Sequence, residues 1–392
     1  MANIIDYLDW RGDLTLTVSP FNEVDNLLLA ELSFLDLAGI VPDVGQGAPV
    51  PLREAVATYF RRNEGRDLSM GVLVPDQIPE MAEKMALSRR FSSWKLDGYR
   101  TCLDTEREIQ FAAVTIDLGN GTLYISFRGT DDTIVGWKED FNMAFLPIVP
   151  SQHLAVDYIR DVCARYPRHK LYIGGHSKGG NLTVYGAVFC GVKLQRRILA
   201  AYNNDGPGFK ESLVDRPEYQ AIRDRIISIV PQSSVVGMLL EHDDNYSVVK
   251  SSQQDIFFQH DGFSWEVLGT QFVHLDGISP GGRIHDQAIR TFIGEMDDQQ
   301  RCAFVDALFE VLGSTNAKTL TELDADWVKS LSAMIRTYKD LSRESRQMLS
   351  RAVKVFLRAS TENFVGELGN RGQELRRLLN LLPEGDRESG EP

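Results

Sequence analysis

The sequence predicts an α/β protein, with a mostly parallel central sheet covered by helices and an additional helical region towards the C-terminus. Three observations carry this expectation. Between residues 109 and 230, short β-branched and aromatic runs alternate with helical-period segments, the pattern of parallel strands joined by crossover helices. A glycine-rich turn stands between one of these strands and the helix after it. Beyond about residue 285 the strand signals stop, and apolar residues recur only at helical spacing.

Residues 21–40 place Val24, Leu27, Leu28, Leu32 and Leu35 on one helical face, with Asn22 or Ser19 as a cap and Gly39 as a stop. Helical patterns follow at 52–63 and 78–88, so 21–95 reads as a helical N-terminal part. From 109 the apolar period is two. Runs at 109–118 and 122–128 flank Asn120-Gly121, a strong hairpin signal because both residues tolerate the positive φ of a tight turn. A helix at 152–165 leads into a strand at 170–174, a helix at about 180–191 and a strand at 197–203. A helix near 217–224 then precedes a strand at 225–230. Phe304, Leu308 and Leu312 trace one amphipathic face, Trp327, Leu331, Met334 and Ile335 a second, and Leu349, Val353 and Leu357 a third. The expected organisation is an α/β domain over 1–285 that includes the helical N-terminal part, a C-terminal helical cap or bundle over 286–383, and a polar tail over 384–392.

Composition narrows the function classes. The 392 residues carry 42 Lys+Arg against 55 Asp+Glu, a net charge of −13, which argues against nucleic acid or an anionic membrane surface as the main partner. Cys102, Cys163, Cys190 and Cys302 are widely spaced and form no metal-binding pattern, so reduced thiols are expected. No H-E-x-x-H pair occurs, and no cofactor motif or metal is expected. Neither a secretory leader nor a run of eighteen apolar residues is present, so a soluble cytoplasmic protein without a transmembrane segment is expected. Oligomeric state is not specified by the sequence.

The chemistry concentrates in Leu171-Tyr-Ile-Gly-Gly-His-Ser-Lys-Gly-Gly180, which contains G-x-S-x-G between a predicted strand and a predicted helix. That context is a nucleophile elbow: a sharp turn holds Ser177 in a strained conformation that presents its hydroxyl, and the glycines let strand and helix approach. The N–H of the following residue, Lys178, is one expected oxyanion donor. The other is Thr130, at the end of the strand Tyr124-Ile-Ser-Phe-Arg-Gly-Thr130. The Lys178 side chain is expected to lie along the following helix with its amine in water, with contact to an acidic substrate group as the alternative.

SFRGT, the following Gly136-Trp137-x-x-Asp140 and YIGGHSKGGNLTVYGA together resemble class 3 (fungal-type) lipases of the α/β-hydrolase fold. With NIIDYLDWRGDLTL near the start, AYNNDGPGF at 201–209, VPQSSVVGMLL at 230–240 and QHDGFSWEV at 259–267, the chain more closely resembles the Mbeg1-like family of predicted hydrolases. The resemblance covers about residues 3–270. It implies a serine hydrolase and ester cleavage, with a small-molecule or lipid ester as substrate.

Chain order Ser…Asp/Glu…His sets aside His153 and His169, and His274 and His285 follow the last clear sheet signals, so His242 and His260 are the candidate bases; His260 matches the position that the resemblance implies. His176 is expected to point away from the serine. Class 3 lipases place an acid after the strand at 225–230, but this chain has Val230-Pro-Gln-Ser-Ser there. The expected substitute is Asp205, at the end of the preceding strand, with Glu241, Asp243 and Asp244 as alternatives. The competing function is a catalytically weak hydrolase-fold protein that binds a partner through its helical C-terminus.

Overall fold

The computed structural model describes residues 2–359 except 72–73, 144–145, 147, 210, 235, 238–245, 256–257, 280–281, 283–295, 316 and 326. Its sheet has nine strands in the order β1-β2-β3-β4-β5-β6-β7-β8-β11. These are β1 (Val50–Pro51), β2 (Lys95–Asp104), β3 (Ile109–Asp117), β4 (Thr122–Phe127), β5 (Lys170–His176), β6 (Ile198–Asn204), β7 (Ile226–Pro231), β8 (Tyr246–Val249) and β11 (His274–Leu275). Strands β4 to β8 run parallel to one another, while β1–β3 and β11 pair antiparallel. A two-stranded ribbon, β9 (Val267–Leu268) with β10 (Gln271–Phe272), stands apart. This is the α/β-hydrolase fold, with β5 at the centre of the sheet.

Both faces of the central strands are dry, and the two-residue period shows how. In β4, Leu123, Ile125 and Phe127 join the core beneath α6 (Pro150–Arg165) and α7 (Lys178–Phe189). Tyr124 points to the opposite core, beneath α1 (Ile4–Arg11), α2 (Glu23–Leu32), α3 (Leu52–Arg62) and α4 (Ile78–Leu87). The parallel centre is therefore covered on each side, as such sheets require.

Several expectations change in detail. The N-terminal part gains a helix ahead of residue 21, α1, is interrupted by the two-residue β1, and ends where β2 begins at Lys95. Strand β2 gives a weak sequence signal because its alternation is broken by a bulge between Asp97 and Arg100, at Gly98 with φ +68°. Helix α2 is capped by Asn22 but stops at Leu32, before Gly39. Helix α5 (Ile134–Met143) is an addition to the expected elements, its apolar residues being interrupted by Gly136 and by the charged run Lys138–Asp140. The segment near 217–224 forms only a four-residue helix, Pro217–Gln220, and a 3-10 turn.

Among the described residues, helices Asp298–Gly313, Leu320–Ala325, Trp327–Asp340 and Arg343–Ala359 follow the sheet. Phe304, Val305, Phe309 and Leu349 form their own small core, against which Ile134, Trp137 and Phe141 of α5 pack. No described helix is long and apolar enough to cross a membrane. Cys163 and Cys190 are buried free thiols, and burial pushes both thiol pKa values up.

Candidate active site

The turn from β5 into α7 has room for nothing but glycine at its flanks. A Cβ on Gly175 would lie 2.3 Å from the Gly179 carbonyl carbon, and one on Gly179 would lie 2.1 Å from the Phe127 oxygen. Strand, helix and neighbouring strand thus meet at backbone distance. Ser177, at the apex, has φ +57° and ψ −131°, a conformation that costs a non-glycine residue of order 1–3 kcal/mol. Two backbone bonds hold it there. Its N–H donates to the Asn204 carbonyl at 2.9 Å, and its carbonyl accepts from Gly180 N–H at 2.8 Å.

Asp205 leaves the end of β6 beside this turn, also with positive φ (+51°), and its N–H donates to the Ile229 carbonyl at 2.8 Å. It is not the acceptor of a local Asx turn; Asn203 Oδ1 takes that part, accepting from Gly206 N–H at 2.9 Å. The fully buried Asp205 carboxylate instead lies 2.7 Å from His260 Nδ1 through Oδ2, and its Oδ1 accepts from the Ser234 hydroxyl. Ser234 Oγ in turn accepts from Gly237 N–H. The serines after β7 therefore hold the acid or, for Ser233, bond Ser279, rather than meeting the imidazole directly.

His260 closes a 3-10 turn, Phe258–His260; residues 256–257 lie outside the described residues. The buried Trp265 fixes this turn by donating Nε1–H to the Gln259 carbonyl at 3.0 Å. The His260 side chain remains 25% exposed. His242, Glu241, Asp243 and Asp244 lie outside the described residues. His274 bonds Glu23 in the rim of the sheet.

His176 has a larger part than its sequence position suggests. Its Nε2 donates to the His260 carbonyl at 2.8 Å, and the two rings pack with centroids 4.6 Å apart. This contact brings His260 against the residue that precedes Ser177. On its other side, His176 Nδ1 lies 3.2 Å from Glu31 Oε1, in the buried end of α2. Burial drives the imidazole pKa well below its ordinary value, so the ring is neutral at neutral pH, and pushes the Glu31 carboxyl well above the usual carboxylate range. A single buried Glu within an apolar helix is the one sequence signal for this brace.

On the opposite side, Gly129 and Thr130 follow β4. A Cβ on Gly129 would come 2.7 Å from the His176 carbonyl and 3.3 Å from Ser177 Cβ, so this loop lies directly on the elbow. Thr130 itself is buried. Lys178 does not run along the helix to solvent, as expected from the sequence. It is fully buried: Nζ donates to the Gln110 carbonyl at 2.7 Å and to Gln110 Oε1, and lies 3.2 Å from Glu139 Oε2. Close packing of α7 on the sheet leaves its side chain no path to water. Among the described residues no cluster of His, Cys, Asp and Glu has the makings of a metal centre.

The family model for Mbeg1-like proteins matches residues 85–310, more than half of the chain and all of the residues just described except those of α2. The chain belongs to the Mbeg1-like family. A search of curated proteins finds no match to this Mbeg1-like chain. Among solved structures, it is similar to a mutant of MDLA from Penicillium cyclopium, with 13% identity over 64% of this chain and 84% of that one, and a TM-score of 0.38. It is also similar to the Rhizomucor miehei lipase in a propeptide complex, with 19% identity over 41% of this chain and 58% of that one, and a TM-score of 0.30. For Lip2 lipase from Yarrowia lipolytica the identity is 10% over 53% of this chain and 82% of that one, with a TM-score of 0.30.

Proposed function

We propose that this Mbeg1-like chain is a serine hydrolase that cleaves a carboxylic ester, with Ser177 as nucleophile, His260 as general base and acid, and Asp205 as the orienting carboxylate. The observation that carries the reading is the 2.7 Å contact between Asp205 Oδ2 and His260 Nδ1, made by a histidine packed on the elbow beside Ser177. With Nδ1–H donated to Asp205, Nε2 is the nitrogen left with a lone pair to take a proton.

In the first half-reaction His260 Nε2 takes the Ser177 proton while Oγ bonds the acyl carbon. The backbone N–H groups of Lys178 and Thr130 hold the resulting oxyanion at the N-terminus of α7, where the helix dipole adds to their effect. The intermediate collapses, the C–O bond to the alcohol breaks, and His260 returns its proton to that alcohol. Water then attacks the acyl-enzyme with His260 again as base, releasing the carboxylic acid and restoring Ser177. Nothing in this cycle calls for a cofactor. Residues 1–285 serve as the catalytic domain, and the helices from 298 onwards act as a cap, a reading supported by their packing on α5 just beyond the oxyanion loop.

A panel of p-nitrophenyl esters from acetyl to palmitoyl tests the reading. The wild type is expected to hydrolyse at least one member, with activity lost in Ser177→Ala and in His260→Gln. Activity that survives both substitutions contradicts it. Preference along the panel separates a short-chain esterase from a lipase.

A further inference from the structure

The residue after the proposed nucleophile is a buried cation, which packing alone does not call for. Burying a charge is expensive unless it is paired and hydrogen-bonded, and an apolar residue of similar volume fills such a space at less cost. Here the charge has a specific set of partners. Lys178 Nζ meets the Gln110 carbonyl, Gln110 Oε1 and Glu139 Oε2. Gln110 lies at the start of β3, and its Nε2 donates at 3.4 Å to the Gly129 carbonyl, which belongs to the same peptide group as the Thr130 N–H. Glu139 belongs to α5, the helix that follows the same loop. Its Oε2 also accepts from Gln110 N–H and its Oε1 from Ser151 N–H, each at 2.9 Å. The side chain of Lys178 therefore crosses from the elbow to both flanks of the Gly129–Thr130 loop.

We propose that Lys178 is a positioning residue: through Gln110 and Glu139 its buried amine locks the oxyanion loop to the nucleophile turn. The inference rests on the serine hydrolase reading above. The two donors, Lys178 N–H and Thr130 N–H, come from separate segments, and a hole made of two segments works only if their separation is held to a fraction of an ångström before charge develops. A long side chain with directional partners on both sides of the gap supplies that constraint.

The test uses Lys178→Met, which keeps the volume and removes the amine. Glu139 retains its two backbone donors in that variant. Gln110→Met is the companion, since it cuts the link to Gly129 and leaves no charge unpaired. Each is measured against wild type for kcat and KM on the best p-nitrophenyl ester, for affinity towards an alkyl boronic acid that forms a tetrahedral anion on serine, and for thermal unfolding. Expected is a loss of about tenfold or more in kcat for Lys178→Met and about threefold for Gln110→Met, with KM changed less than about twofold and boronate affinity lowered in step with kcat. Folded variants with wild-type kcat and boronate affinity overturn the inference, as does a loss confined to unfolding temperature. A wild type that neither turns over esters nor binds the boronate overturns the hydrolase reading and this inference with it, an outcome distinct from variants that match an active wild type.

Discussion

Two fully buried aspartates in this molecule are paired with a base, and they are built in opposite ways. Asp25 in α2 accepts from Arg90 through Nε and Nη2, from the Tyr7 hydroxyl at 2.9 Å and from Asn22 N–H at 3.1 Å. The remaining Arg90 donors go to the carbonyls of Leu14, Ser19 and Pro20. Every polar group there is spent, and the cation is one that never loses its proton. Asp205 has two side-chain partners, Ser234 and His260, and the second is a titratable ring whose other nitrogen takes no part in the pair. A saturated pair fixes helices to one another; an unsaturated one leaves a base available for chemistry.

Asparagine substitutions at the two sites should therefore fail differently. Asp205→Asn is expected to lower kcat by about ten-thousand-fold with a modest change in unfolding temperature, because the imidazole loses its orienting charge and correct tautomer. A rate within about tenfold of wild type would remove Asp205 from the catalytic set. Asp25→Asn leaves Arg90 buried without its counter-charge and is expected to cost about 3–5 kcal/mol in urea unfolding, while the molecules that remain folded keep wild-type kcat. Loss of kcat out of proportion to folded protein would erase the contrast.

Glu31 is a third buried acid, and it faces a neutral imidazole rather than a cation. Held protonated in the folded protein well above its ordinary 4.5, it binds a proton that the unfolded chain has already released. Stability should accordingly fall as pH rises above 4.5, by about 1.4 kcal/mol per unit until the folded-state carboxyl ionises. His176 acts with the opposite sign: neutral when folded, it withdraws stability as pH drops below its ordinary 6.5. Glu31→Gln is expected to remove the alkaline-side slope and retain the acid-side one in urea titrations across pH. An unchanged alkaline slope would show that the carboxyl is ionised in the folded state.

Much of this arrangement is legible in the sequence. The alternation of strands and helices from 109 to 230, the Asn120-Gly121 hairpin and the elbow all rest on local chemistry, and the structure has each. Asp205 is reachable because parallel strands end at one rim, so the residue after β6 has to lie near the residue after β5. What stays hidden depends on distant partners. Lys178 finds Glu139 at a separation of 39 residues and Gln110 at 68. His176 meets Glu31 across the sheet from a helix that local periodicity describes only as apolar. Charged residues look solvated in sequence unless the packing around them is known, and at an elbow the flanking glycines are the clue that no solvent is near.

In the proposed reaction Ser177 is a nucleophile activated by His260. Intact-mass spectrometry after treatment with an alkyl fluorophosphonate tests it most directly. One phosphonyl adduct per wild-type chain is expected, mapped to Ser177, absent from Ser177→Ala and much slower to form in His260→Gln. No adduct on the folded wild type, or an adduct that persists in Ser177→Ala, would contradict it.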